Sequence, residues 1–206
     1  MNVRLVALTD LERFPEPTAA LGRLCALAEP GTVAVVLRDK DAGYRTRLLL
    51  GRDLRRITRD AGQQLLVADR VDLALEAEAD GVHLPTDGML PSEVRRLFPS
   101  ALISRAHHQA EGLPDSELAL LGMLLVSPVF EARKGRAALG TGGLGARMTA
   151  LRSRAPGARL LALGGVDAAR APQALEAGAD GVAAIAAAHA FGEQEALVRG
   201  LGIGRD

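Results

Sequence analysis

The chain has 206 residues, 48% of them hydrophobic and 2% aromatic, and its 25 basic residues are balanced by 25 acidic ones. This length and apolar content are enough for one large domain, or two small ones, with a buried core. The even charge balance and the scarcity of aromatic rings argue against a nucleic-acid partner. No apolar run approaches the ~20 residues that a membrane helix needs, so no membrane partner is predicted.

The sequence favours a cytoplasmic location. Cys25 is the single cysteine, so no intrachain disulfide can form, as is usual for proteins of reducing compartments. No basic and apolar leader segment opens the sequence. We therefore predict a cytoplasmic protein.

Apolar patterning predicts strands that alternate with helices along the chain. The predicted strands cover residues 3–9, 32–40, 64–69, 81–84, 101–107, 123–128, 159–163 and 181–188. The predicted helices cover residues 17–28, 48–60, 70–78, 91–98, 110–119, 144–154 and 189–201, and one more lies between Asp167 and Gly178. The repeat of about 25 residues runs on without a break in composition, so we predict a single domain over residues 1–206.

Buried apolar strands that alternate with helices indicate a parallel α/β protein. Eight such units predict a single compact (β/α)8 TIM barrel. An open doubly wound sheet is the alternative, but such a sheet more usually carries its glycine-rich phosphate turn after the first strand. In this chain the comparable turn follows the seventh strand, in the region where barrels often bind phosphate, so the closed barrel is favoured.

That turn lies in residues 158–188, which are predicted to form a strand, a glycine turn, a helix and a second strand. Gly164 and Gly165 end the first strand, and Ile185 and Ala186 lie in the second apolar run. Unpaired backbone amides at these two points, close to helix N-termini, would attract a phosphate group. Alternatively, the small residues only allow the helix to pack closely on the sheet.

Polar side chains follow several predicted strands, at the end where barrel enzymes carry their chemistry. Arg38 and Lys40 end strand two and, being two residues apart, share one face. Asp69 ends strand three, and its carboxylate is predicted either to cap the next helix or to bind a ligand. For His83, which lies between apolar neighbours in strand four, packing is favoured over a role as ligand. Asp87 follows that strand.

Strand five ends in two consecutive histidines, His107 and His108. Alternation places His108 on one face with Ser104 and Ala106, and His107 on the other face with Arg105. We predict that His108 faces the barrel mouth, because the small residues on its face leave room for a substrate. The cations of strand two, this histidine and the anion site of strands seven and eight would then surround one cavity.

These stretches resemble the thiamine phosphate synthase/TenI family of TIM barrels. The resemblance runs through nearly the whole chain in the family's order. It rests on the stretches VVLRDK (35–40), LLVADRVDLALEAEADGVHLP (65–85), SRAHHQAE (104–111), SPVF (127–130), LALGGV (161–166) and EAGADGVAAIAA (176–187).

The synthases of this family join a pyrimidine diphosphate to a thiazole phosphate with the help of Mg²⁺. The resemblance implies that Arg38, Lys40, Asp69 and Lys134 bind substrate, and that Asp69 and Asp87 hold Mg²⁺ if the chain is a synthase. Several polar residues of the family pattern are replaced here. The replacements are Val36, Ala68, Gly88, Ala106, Ala186 and the stretch EARK (131–134). Because each lost hydrogen bond to a charged group is worth roughly 1.5–3 kcal/mol, the synthase reaction is predicted to be impaired.

TenI-like members convert a thiazole carboxylate phosphate tautomer into its aromatic form, a proton shift that needs one acid/base group and no cofactor. By resemblance, His108 takes this role, and a histidine suits it because its ordinary pKa is about 6.5. Arg38 and Lys40 would face the substrate carboxylate. Four residues would hold its phosphate, namely Gly164, Gly165, Ile185 and Ala186.

The prediction is therefore a TenI-like thiazole tautomerase that acts on a small-molecule phosphate, and a homo-oligomer is compatible with it. A Mg²⁺-dependent thiamine phosphate synthase with an altered site is the first alternative. A non-catalytic barrel that binds a phosphate ligand and acts through a partner protein is the second.

Overall fold

The computed structural model describes residues 2–108, 113–133 and 135–205. Its strands are β1 (Leu5–Leu8), β2 (Val33–Leu37), β3 (Gln64–Ala68), β4 (Gly81–Leu84), β5 (Leu102–His107), β6 (Met123–Val126), β7 (Arg159–Leu163) and β8 (Gly181–Ala184). Each strand pairs in parallel with the next one, and β8 pairs with β1, so the sheet closes into a barrel. The predicted (β/α)8 barrel is thereby confirmed.

Helices connect successive strands. They are α1 (Pro17–Leu27), α2 (Tyr44–Asp60), α3 (Val71–Glu76), α4 (Pro91–Leu97), α5 (Asp115–Leu118), α6 (Gly140–Arg154), α7 (Ala171–Glu176), α8 (Ala186–His189) and α9 (Phe191–Gly200). Within the described ranges, none of them is both long and apolar enough to cross a membrane.

Two hydrophobic clusters hold the barrel together. One fills its interior, where alternate residues such as Val6, Val36, Leu66, Met123 and Leu161 meet. The other lies between the strands and the surrounding helices and takes the intervening strand positions. Because strands buried on both faces need apolar residues at successive positions, this packing explains the nearly continuous apolar runs of the sequence.

The last strand is shorter than predicted. The apolar run 181–188 was predicted to be one strand, but β8 ends at Ala184 and α8 begins at Ala186. The predicted helix 189–201 is likewise divided, because Ala190 is extended between α8 and α9. A run of alanines carries no periodicity that separates a strand from a short helix, so the sequence pattern could not locate this boundary.

Other strand and helix boundaries also differ from the predicted ones. The predicted strand 32–40 ends at Leu37, and the strand predicted over 123–128 ends at Val126. The helices predicted from residues 48 and 144 begin one turn earlier, at Tyr44 and Gly140. Of the predicted helix 110–119, residues 110–112 lie outside the described residues, and α5 begins after Pro114.

A repeated segment stabilises the barrel at the end where its strands begin. The sequence Ala-Asp-Gly-Val leads into β4 and β8 alike, with its glycine as the first strand residue, and its aspartates are Asp80 and Asp180. The Asp80 carboxylate accepts a hydrogen bond of 2.8 Å from the Leu65 amide, and Asp180 accepts one of 2.8 Å from Leu160. Both carboxylates therefore tie the start of one strand to the strand before it.

The same repeat predicts a stabilising substitution. Glu78 has a left-handed φ of +52°, whereas the matching position of the second copy is Gly178, with a φ of +93°. Because this conformation disfavours side chains with a Cβ, we expect Glu78→Gly to raise the urea midpoint of unfolding by about 0.3 M. The reciprocal Gly178→Glu is expected to lower it. Midpoints that moved in the same direction in both variants would contradict this explanation.

Candidate active site

The mouth of the barrel begins with a set of contacts between β1 and β2. The Arg38 guanidinium lies 3.2 Å from the carboxylate of Asp10, whose side chain is almost completely buried. The Arg38 amide donates a hydrogen bond of 2.9 Å to the Thr9 hydroxyl, which in turn bonds to Asp39. Asp39 also accepts a hydrogen bond of 2.6 Å from the Leu11 amide. Both the backbone and the side chain of Arg38 are thus held by the end of β1.

Lys40 is paired with the carboxylate that follows β3. Its ammonium lies 2.8 Å from an Asp69 carboxylate oxygen, and both side chains are partly exposed. Asp69 has a left-handed φ of +71°, and its amide donates to the His83 carbonyl at 3.0 Å. The N-cap position of α3 is Arg70 and not Asp69, and the Arg70 side chain makes no capping hydrogen bond. The carboxylate faces the cation of β2 instead.

The two faces of β5 make different contacts. On the inner face, Ser104 pairs in register with His83, and its hydroxyl lies 3.0 Å from His83 Nδ1. On the outer face, the Arg105 guanidinium donates to the carbonyls of Thr86 and Met89, and so holds the loop that follows β4. These contacts follow the alternation read from the sequence.

His108, directly after β5, contacts the end of β6. Its Nδ1 lies 2.9 Å from the Ser127 hydroxyl and 3.2 Å from the Ser127 carbonyl oxygen. Ser127 is buried, and its amide donates to the His107 carbonyl at 3.0 Å. The His108 ring is therefore attached to the upper edge of two adjacent strands.

Two further histidines are buried and neutral. The pKa of His83 is lowered to about 4, first by burial and then by the positive charges of Lys40, His108, Arg105 and Arg38. The pKa of His107 is likewise lowered to about 4, first by burial and then by Arg147 and other cations. His107 Nε2 is a buried atom with no hydrogen-bond partner in the described part of the chain. Neither ring is thus poised to exchange a proton near neutral pH.

The glycine turn after β7 has the backbone shape that glycine alone adopts easily. Gly164 and Gly165 have φ values of +107° and +68°. A Cβ at Gly164 would lie only 3.0 Å from the Val129 amide nitrogen, so the chain after β6 packs directly on the turn. Within the described ranges the Gly165 amide makes no hydrogen bond. This amide is available to an anion.

The turn has charged neighbours that the sequence pattern did not reveal. A Cβ at Gly165 would lie 2.5 Å from the Glu131 side chain, so this side chain covers the glycine. Glu131 forms an ion pair of 3.2 Å with Arg170, which also donates to the Gly165 carbonyl at 2.8 Å. An acidic and a basic side chain therefore flank the proposed phosphate position.

The second half of the predicted phosphate site lies on the neighbouring strand. Leu163 pairs in register with Ala183, so the turn after β7 and the residues after β8 follow adjacent strands at one edge. Ile185 stands between β8 and α8, and Ala186 is the first residue of that helix. The shorter β8 thus brings a helix start to the predicted phosphate position, where continuous strand was expected.

The carboxylates predicted to hold Mg²⁺ do not form a prepared metal site. Mg²⁺ is usually bound through one or two carboxylates and substrate phosphates. Here the Lys40 ammonium already occupies the carboxylate of Asp69, and Asp87 is exposed near Arg105. Among the residues that the structure describes, no group of three or more His, Cys, Asp or Glu side chains is arranged so that it could hold a metal ion. Lys134, the remaining predicted substrate ligand, lies outside the described residues.

A (β/α)8 barrel with cations, a histidine and a glycine turn at the C-terminal ends of its strands has the architecture of a phosphate-handling enzyme. The sequence model described as thiamine monophosphate synthase matches residues 5–188. A thiamine-phosphate synthase of Natronomonas pharaonis is 38% identical over 174 residues, which span 83% of this chain and 80% of the relative. One of Methanoculleus marisnigri is 34% identical and covers 93% of both chains.

A solved structure also shows similarity to this group of enzymes. The thiamine phosphate pyrophosphorylase of Pyrococcus furiosus superposes with a TM-score of 0.78 at 25% identity, over 97% of this chain and 96% of the other. The chain belongs to the thiamine monophosphate synthase family, whose members act in thiamine biosynthesis.

Proposed function

We propose that this protein is a thiazole tautomerase, an isomerase that makes the ring of a thiazole carboxylate phosphate aromatic. The observation that carries the proposal is His108, which is held by Ser127 at the upper edge of β5 and β6. The two other histidines near this end of β4 and β5 have pKa values lowered to about 4 by burial. His108 is thus the candidate acid/base group of the barrel mouth.

The reaction is a shift of one proton. One C–H bond of the substrate breaks, the His108 imidazole holds the proton, and a new C–H bond forms at a second carbon. The product has the same atoms as the substrate, so neither a metal nor a redox cofactor is part of the balance. A histidine can both accept and return a proton near neutral pH because its ordinary pKa is about 6.5.

The anionic groups of the substrate have separate partners. Arg38 and Lys40 face the substrate carboxylate, although each also contacts an acidic residue of the protein. The phosphate binds at Gly164 and Gly165 and at the start of α8. These backbone donors do not depend on the polar side chains that the family synthases use and this chain lacks.

The second candidate is a thiamine phosphate synthase. The names of its relatives favour it, and by resemblance Arg38, Lys40 and Asp69 are kept from the family pattern. The sequence also argues against it. Ala68, Gly88 and other apolar or small residues occupy positions that are polar in the family pattern. The carboxylates of this structure also do not fit a prepared Mg²⁺ site, so we derive no step through the metal.

The two functions predict different requirements for Mg²⁺. We expect the purified protein to aromatise the thiazole carboxylate phosphate tautomer equally well with Mg²⁺ and with a chelator. We expect no useful formation of thiamine phosphate when pyrimidine diphosphate and Mg²⁺ are supplied together, and only weak Mg²⁺ binding by calorimetry. Absorbance of the aromatic product and chromatography of thiamine phosphate measure the two reactions.

Robust Mg²⁺-dependent synthesis of thiamine phosphate would instead identify a synthase in which Asp69 and Asp87 suffice. Phosphate binding without either reaction would identify a non-catalytic barrel. An active synthase from the same family serves as the positive control for the assay of thiamine phosphate formation.

Glu131 gives a test of the phosphate position that does not depend on turnover. Its carboxylate covers Gly165 and pairs with Arg170, so it repels an anion bound at this turn. We expect Glu131→Gln to bind inorganic phosphate about three- to fivefold more tightly, the scale of one partly exposed charge. Glu78→Gln is the matched control, because Glu78 also pairs with an arginine but precedes β4 at the opposite end of the barrel. Unchanged affinity in Glu131→Gln would place the phosphate elsewhere.

A further inference from the structure

We infer that the Arg170 guanidinium is a side-chain ligand of the substrate phosphate, and that the Glu131 carboxylate occupies it while no phosphate is bound. The inference rests on the proposed function, in which the phosphate binds at Gly164 and Gly165. It adds a charged side chain to a site that otherwise consists of backbone groups. Arg170 thereby selects for a phosphate ester over the corresponding alcohol.

Arg170 lies directly beside the glycine turn. Its Nη1 donates a hydrogen bond of 2.8 Å to the Gly165 carbonyl oxygen. Because the carbonyl oxygen and the amide nitrogen of one residue are only about 3 Å apart, the guanidinium lies within roughly 6 Å of the Gly165 amide. A phosphate group has several strong acceptor oxygens, so one phosphate can accept hydrogen bonds from both donors.

The Glu131 carboxylate is an internal anion at the same place. It lies 3.2 Å from Arg170 Nη1, and its side chain covers Gly165 so closely that a Cβ there would be 2.5 Å away. The pair is readily exchanged, because the side chains of Glu131 and Arg170 are 66% and 39% exposed and ion pairs in contact with solvent are weak. A phosphate ester carries about 1.5 to 2 negative charges at pH 7 and can therefore displace the single charge of the carboxylate.

Three contacts hold the Arg170 guanidinium in place independently of Glu131. The Gly165 carbonyl accepts from it, the Phe130 ring centroid lies 5.7 Å from it, and the Asp167 carboxylate lies 3.9 Å from Nε. Within the described ranges its second terminal nitrogen, Nη2, makes no hydrogen bond. When Glu131 moves away, the guanidinium thus remains beside the turn and has N–H groups to donate to phosphate oxygens.

The chain offers a matched arginine whose partners lie outside the glycine turn. Arg23, on α1, donates to the Phe191 carbonyl at 2.8 Å, pairs with Glu195 at 2.6 Å and lies 5.8 Å from the Phe191 ring centroid. It has the same kinds of partner as Arg170, but they belong to α9. The loss of one positive charge and one ion pair can therefore be measured without changing the proposed phosphate site.

The test is calorimetric binding of inorganic phosphate at constant ionic strength, which requires no turnover. We expect Arg170→Met, which keeps an unbranched side chain but has no donor, to weaken binding about tenfold, the scale of one lost hydrogen bond to a charged group. The decisive comparison is made in Glu131→Ala, where no carboxylate is left for the arginine to neutralise. In that background too, Arg170→Met should weaken binding about tenfold. Arg23→Met should change the affinity less than twofold in either background.

Three results would overturn the inference. If Arg170→Met weakens binding in the unmodified protein but not in Glu131→Ala, the arginine only neutralises the glutamate. If it leaves binding unchanged in both backgrounds, the two side chains only stabilise the turn. An equal loss in Arg23→Met would mean that net charge alone is responsible. Because phosphate binding is measured without catalysis, failure of the tautomerase proposal would appear only in the activity assay.

Discussion

Replacement of Gly165 by aspartate is expected to abolish phosphate binding. The residue has a φ of +68°, and a Cβ at this position would collide with the Glu131 side chain at 2.5 Å. Aspartate also places a negative charge beside the amide that would bind the phosphate. The bulk and the negative charge of the new side chain, placed where the anion belongs, act in the same direction, so we expect the affinity for inorganic phosphate to fall below detection by calorimetry.

The steric and the electrostatic parts can be separated with Gly165→Ala, which has the same backbone strain and the same Cβ but no charge. We expect it to weaken binding less than Gly165→Asp does. Thermal unfolding of both variants would show that the barrel remains folded, because the turn lies at the surface edge after β7. Unchanged phosphate affinity in folded Gly165→Asp would refute the assignment of the phosphate to this turn.

The fold could be predicted because its signals are local. Each strand is a short, mostly apolar run, and eight such runs at regular spacing define a barrel. Boundaries were missed where local signals conflict with tertiary contacts. The glycine-rich segment before residue 144 was predicted to be a loop, but Gly140 begins α6 and its amide donates to the Val129 carbonyl at 2.9 Å.

The candidate site likewise has features that the sequence predicts and features that it cannot predict. Alternation along β5 separates His108 from His107, since neighbours on a strand must point to opposite sides. The partners of these residues could not be predicted, because they come from distant parts of the chain. Ser127 is 19 residues from His108, and Arg170 is 39 residues from Glu131. Only the register of the barrel brings them together, and a single sequence carries no signal of that register.

The two histidines at the end of β5 give the most direct test of the proposed chemistry. We expect His108→Ala to lower kcat by roughly 10²–10⁴-fold, the usual cost of losing an acid/base group. Substrate binding should change much less, because the carboxylate and phosphate contacts lie on β2, β7 and β8. The measurement is the rate of aromatisation at saturating substrate, with KM determined separately for each variant.

His107→Ala is the matched control, because it removes the same side chain one position away. His107 lies on the outer face of β5, and burial together with nearby arginines lowers its pKa to about 4, so the neutral ring does not take up a proton near neutral pH. We expect this variant to lose some thermal stability, since a buried ring is removed, but to keep kcat within a few-fold. Equal losses of kcat in the two variants would mean that the β5 end acts through its packing. Full activity without His108 would mean that a different group moves the proton or that the reaction is a different one.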